Sequence, residues 1–179
     1  MTSLLPIIYL TLITTILALL IFFLVKQVLQ KKETEQTLLT LQSKVRNKTA
    51  TPVEYYSVGT IYLSKKLFDQ AILQFRFALK EWDQTDSEGL ANLYNTIGFT
   101  YFEAKQYDLA IYYYMEALKQ VPEYITALNN LAYAYEKNQM LIKAAETYNQ
   151  VLAYDNKNDI AKEKLERISR LTSRRDDRI

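Results

Sequence analysis

The side chains able to move protons or carry charge are 20 Asp and Glu, 22 Lys and Arg, and 15 Tyr; the 179 residues include neither Cys nor His. Thiolate nucleophiles, disulfides, Cys/His zinc sites, His- or Cys-ligated haem and Ser-His-Asp relays all require those two missing types. An acid–base pair would have to be drawn from carboxylates such as Glu103, Asp108 and Glu136. No nucleophile or phosphate loop accompanies them, so they read as surface charge. Three glycines in the whole chain cannot build a phosphate-cradling loop, which needs several close together so that the backbone can approach the phosphates. No catalytic residue, metal ligand or cofactor-binding residue is therefore expected, nor a small-molecule substrate. A formal net charge of +2 gives no strong pull toward nucleic acid.

The tyrosines are spaced with a purpose. Tyr55, Val58, Gly59 and Tyr62 recur as Tyr94, Ile97, Gly98 and Tyr101, and again as Leu128, Leu131, Ala132 and Tyr135. Each set is followed at a constant distance by Ala71, Phe75 and Ala78, by Ala110, Tyr114 and Ala117, and by Ala144, Tyr148 and Val151. The second and third copies are 34 residues apart and the first two 39 apart; the five additional residues fall in the polar stretch Asp83–Gly89, read as a lengthened surface turn. A small residue in each half of the unit is what two closely crossing helices require. Helices are expected near 52–65, 68–82, 91–104, 107–120, 125–138, 141–153 and 159–172. Pro122 can stop the fourth of these, with Asp83 and Asn156 at the equivalent places. In the last, Ile160, Ala161, Leu165 and Ile168 would form one apolar face.

This pattern of aromatic, Gly, Tyr, Ala and aromatic resembles the tetratricopeptide repeat over residues 52–157. The resemblance implies an all-α fold: a right-handed α-solenoid of three helix pairs (52–85, 91–124 and 125–158), closed by a capping helix (159–172) and followed by a flexible tail (173–179). Arg174, Arg175 and Arg178 of that tail read as a solvated end. Phe75, Tyr114 and Tyr148 are expected to pack against the following pair, beside the fillers Tyr62, Tyr101 and Tyr135.

Ahead of the repeats, residues 4–25 carry no charge; the first charged side chain is Lys26. As a helix they rise about 33 Å, enough for a hydrocarbon core of about 30 Å. No basic residue precedes the stretch and no small-x-small cleavage site follows it, so it reads as a retained transmembrane helix rather than a signal peptide. Lys26, Lys31, Lys32 and Lys44 follow it, which keeps the C-terminal side on the cytoplasmic or stromal face. Residues 26–51 read as a basic juxtamembrane spacer with at least a short helix through Leu38, Leu41 and Val45.

The tetratricopeptide resemblance further implies that the first helix of each pair lines a concave, partner-binding groove. The positions that face it in related proteins are, here, Tyr56, Thr60 and Leu63; Asn92, Asn95, Phe99 and Phe102; and Asn129, Asn130, Tyr133 and Glu136. Tyr56 and Thr60 replace the basic and amide pair of repeats that clamp chaperone tails, so that ligand is not expected. Residues 51–157 hold nine basic against thirteen acidic residues, which favours a basic or neutral protein partner. One span followed by three repeats resembles the membrane-anchored tetratricopeptide class of cyanobacteria and algal plastids that assists photosystem I assembly. That resemblance implies photosystem I subunits or assembly intermediates as partners and a thylakoid location. The alternative is a membrane-tethered repeat adaptor for bacterial envelope biogenesis, secretion or organelle protein import.

Overall fold

The computed structural model describes residues 4–176 and divides into two units, Met1–Ala50 and Thr51–Ile179. The first unit is one helix, α1 (Leu4–Arg46). The expected change of character at residue 26 leaves no mark on the backbone: the helix runs through Lys26 without interruption. Between Pro6 and Pro52 there is neither Gly nor Pro, and residues 26–46 are mostly Lys, Gln, Glu, Leu and Thr, so nothing breaks the hydrogen-bond ladder. In the uncharged half, the hydroxyls of Thr11, Thr14 and Thr15 donate to carbonyls three or four residues back. Their polarity is thus satisfied within the helix, as an apolar surrounding requires. Among the described residues α1 is the one helix long and apolar enough to cross a membrane.

The second unit consists of α2 (Pro52–Ser64), α3 (Phe68–Glu81), α4 (Ser87–Glu103), α5 (Tyr107–Gln120), α6 (Ile125–Lys137), α7 (Leu141–Tyr154) and α8 (Asp159–Asp176), with no strand among the described residues. Each helix packs on the next, and α4 also reaches α6. α2 opens on a capping box: Thr51 Oγ1 accepts from the Glu54 N–H at 3.3 Å, and Glu54 Oε2 accepts from the Thr51 N–H at 2.9 Å.

Within the pairs, α2 turns into α3, α4 into α5 and α6 into α7 by one device repeated three times. Lys66, Lys105 and Gln139 each take φ near +60°. The following residues, Leu67, Gln106 and Met140, donate their N–H groups to the carbonyls of Tyr62, Tyr101 and Tyr135 at 2.9 Å. This is a Schellman end, built at all three places without glycine.

Two of the three glycines, Gly59 and Gly98, lie where helices cross. A methyl added at Gly59 would stand 2.5 Å from the Phe75 ring, and one at Gly98 would stand 2.7 Å from the Tyr114 ring. Phe75 and Tyr114, each at most 1 % exposed, therefore lie over the small residue of their own pair. There each ring fills the hollow that a missing Cβ leaves, and Tyr114 also belongs to the buried cluster that includes Leu128, Leu131 and Ala132 of the following pair. Ala71, Ala110 and Ala144 are fully buried beside them. The filler tyrosines are less enclosed than expected: Tyr62 and Tyr101 are half-buried, Tyr101 stacking on Tyr113 at 5.3 Å, and only Tyr135 is buried.

Two bounds depart from expectation. α4 begins at Ser87 rather than near 91, so the additional residues form a further helical turn and the connection from α3 shortens to 82–86. Asp86 drives this. Its Oδ1 accepts from the Gly89 N–H at 2.8 Å and its Oδ2 from Trp82 Nε1 at 3.1 Å, capping the helix and tying it to the loop. Gly89 thus belongs to the first turn of α4, not to a surface turn, and any Cβ there would fall on the Asp86 carboxylate. The second departure is α8, which continues to Asp176, four residues past the expected end. Ala161 and Ile168 are buried in the core and Leu165 packs against it, but Ile160 is 62 % exposed. The apolar face runs through 161, 165 and 168, and a residue one step earlier lies about 100° around the helix. The solvated end expected of Arg174, Arg175 and Arg178 lies outside the described side chains.

Candidate functional site

The positions singled out on the first helices of the pairs are brought together by contacts between α2, α4 and α6. The Tyr56 hydroxyl lies 3.2 Å from Thr96 Oγ1, linking α2 to α4. The Asn130 Nδ2 donates to Asn95 Oδ1 at 2.9 Å, linking α6 to α4, and the Phe102 and Tyr133 rings meet at 5.2 Å beside it. These alternate helices therefore lie side by side, and the amide and aromatic positions occupy the seam.

Their accessibility differs. Asn92 is exposed and Phe99 is 41 % exposed, whereas Asn95 is only 8 % exposed. The others, Tyr56, Thr60, Leu63, Phe102, Asn129, Asn130 and Tyr133, are half-buried. Thr60 turns its hydroxyl back to the Ser57 carbonyl at 2.8 Å. Asn95 thus joins repeats, while Phe99 and Asn92 present themselves outward. Asn129 keeps a buried Oδ1 with no hydrogen-bond partner among the described residues.

Two basic residues at the end of this seam, Lys164 and Arg167 of α8, escaped the sequence reading. Lys137 Nζ stands 5.1 Å and Lys164 Nζ 4.7 Å from the Tyr133 ring centre, a cation–π arrangement with contributions from α6 and α8. Glu136 is no free surface charge: it pairs with Arg167 and lies 3.9 Å from Lys164, both on α8. The hydrogen bond to Glu136 raises the Arg167 guanidinium above its usual range, and the Tyr133 hydroxyl does the same for the Lys137 ammonium. Burial, with Glu136 nearby, pushes the Tyr148 phenol far up. The signal was available, since one further 34-residue step from Asn130 and Tyr133 falls on Lys164 and Arg167.

The tetratricopeptide-repeat family matches residues 91–124 and again 125–158, the pairs α4/α5 and α6/α7. Over its entire length the chain is 45 % identical to the protein ycf37 of Guillardia theta, itself covered completely. The chain belongs to the ycf37 family of tetratricopeptide-repeat proteins. It is also 33 % identical, over 86 % of its length, to the chloroplastic tetratricopeptide repeat domain-containing protein PYG7 of Arabidopsis thaliana, of which it spans 51 %. The fold is that of the crystal structure of MamA, at a TM-score of 0.72 over 82 % of this chain and 83 % of that one, with 17 % identity. Repeat folds of this kind act typically as protein-interaction scaffolds rather than enzymes.

Proposed function

We propose that this protein is a membrane-anchored scaffold that holds photosystem I subunits or assembly intermediates in a concave groove at the stromal or cytoplasmic face of the thylakoid. The observation that carries the reading is the seam itself. Alternate helices present Asn92, Phe99 and Tyr133 around an interior Asn95–Asn130 pair, so amides able to meet a peptide backbone alternate with rigid rings. Kinship to a chloroplastic tetratricopeptide-repeat protein supports a plastid setting. The uncharged half of α1 is the anchor, and the lysines that follow it keep the repeats on the side of synthesis. Confinement to the membrane surface raises the effective concentration of groove and newly inserted subunit, so modest affinity suffices.

Full-length protein solubilised in mild detergent is expected to co-isolate with photosystem I subunits. Phe99→Glu, at an exposed ring, is expected to abolish that association while leaving the helical circular dichroism unchanged. Absence of association with any photosystem I subunit, together with normal accumulation of the complex after gene deletion, would falsify the reading.

A further inference from the structure

The five residues that break the 34-residue register do more than lengthen α4. The turn they add forms one wall of a cleft of about 650 Å³. Asp86, Glu88 and Gly89 come from the start of α4; Val121, Glu123 and Tyr124 face them from the α5–α6 connection, with the first turn of α6 closing the cleft. Asp86, Glu88 and Glu123 are exposed, and no Lys or Arg is among the residues that line it. Between the carboxylates, half-buried Val121, Tyr124 and Ile125 offer an apolar wall. Asp86 is engaged as a cap, which leaves Glu88 and Glu123 on opposite walls to meet a ligand. A long basic side chain fits both features, its stem on the apolar wall and its charge between the carboxylates. Asn92 lines both this cleft and the seam described above, so the two surfaces are continuous.

We propose that this cleft takes a lysine or arginine side chain from the protein segment bound by the repeats. The inference rests on the scaffold reading and adds the chemistry of one anchor to it.

The test uses the full chain in nanodiscs of neutral phosphatidylcholine and a fluorescein-labelled peptide of alternating alanine and lysine, read by fluorescence anisotropy. Glu88→Gln/Glu123→Gln is expected to weaken binding about five- to tenfold at low salt, as expected for the loss of two exposed charge pairs. The charge-matched control Asp69→Asn/Glu103→Gln, in a separate cleft, is expected to change it less than about twofold. Equal weakening by both pairs, no weakening by the first, or equally tight binding of the alanine–glutamate counterpart overturns the proposal. Absence of photosystem I association in the unaltered protein, with the peptide result intact, would bring down the assembly reading and not this one.

Discussion

At Gly98 a methyl group would meet the Tyr114 ring at 2.7 Å and the Ala110 carbonyl oxygen at 3.2 Å, and neither neighbour is free to move. Helix propensity favours alanine there by about 1 kcal/mol, but overpacking a closed crossing costs about 1–3 kcal/mol. Gly98→Ala is accordingly expected to lower the midpoint of thermal unfolding. The reverse holds at Lys105, which bears the left-handed turn between α4 and α5 at φ 61°. That conformation costs a residue with a Cβ about 1–2 kcal/mol, more than the roughly 0.5–1 kcal/mol of chain entropy that glycine adds to the unfolded state. Lys105→Gly should raise stability by about 0.5–1 kcal/mol in urea unfolding. Tyr114 and Tyr148 respond to pH. Burial, helped by Glu103 and Glu136 respectively, pushes both phenols far up. The unfolded chain therefore releases these protons first, near pH 10, while the folded chain keeps them. Their contribution is complete below about pH 10 and is lost as pH rises above it. Urea midpoints measured from pH 8 to 11 should fall at the alkaline end, and less steeply in Tyr114→Phe.

Among the elements, α8 holds its place by two means: Ala161 and Ile168 enter the core, and Arg167 and Lys164 straddle Glu136. The Glu136 side chain is 12 % exposed, whereas Arg167 is about half exposed, so solvent screens much of the pair. Removing Arg167 still leaves a mostly buried carboxylate short of its main partner. Arg167→Ala should cost about 1 kcal/mol and speed amide exchange across 159–171 before it affects α4 or α5. α4 illustrates how an element absorbs an irregular repeat. Five polar residues would serve equally as a loop, but a carboxylate at 86 able to cap the chain at 89 turns them into helix. Asp86→Ala is expected to fray that turn, costing about 1 kcal/mol, and to weaken the lysine-peptide binding with it.

For the whole molecule, the division at residue 50 separates a helix without a core of its own from a repeat unit that contains one. A fragment comprising 51–179 is expected to unfold cooperatively in circular dichroism and to remain soluble without detergent. The full chain should partition with membranes and resist carbonate extraction, since about 20 apolar residues of α1 have no burial elsewhere. Carbonate-soluble full-length protein would contradict the anchor.

Periodicity determined the repeats, the helix pairs and the residues at their crossings, because a helix-turn-helix unit repeated at 34 residues must place a small side chain wherever two backbones approach. Hydropathy likewise marked the apolar half of α1. What the chain does between those fixed points depended on contacts made across it. The Schellman turns at Lys66, Lys105 and Gln139 carry no glycine to announce them. The Gly89 turn is helical only because Asp86 and Trp82 close on it. Asn95 looked like its neighbours until Asn130, 35 residues away, took its side chain out of reach. Local spacing encodes which residues share a face; only packing of one repeat on the next decides which of them remain open to a partner.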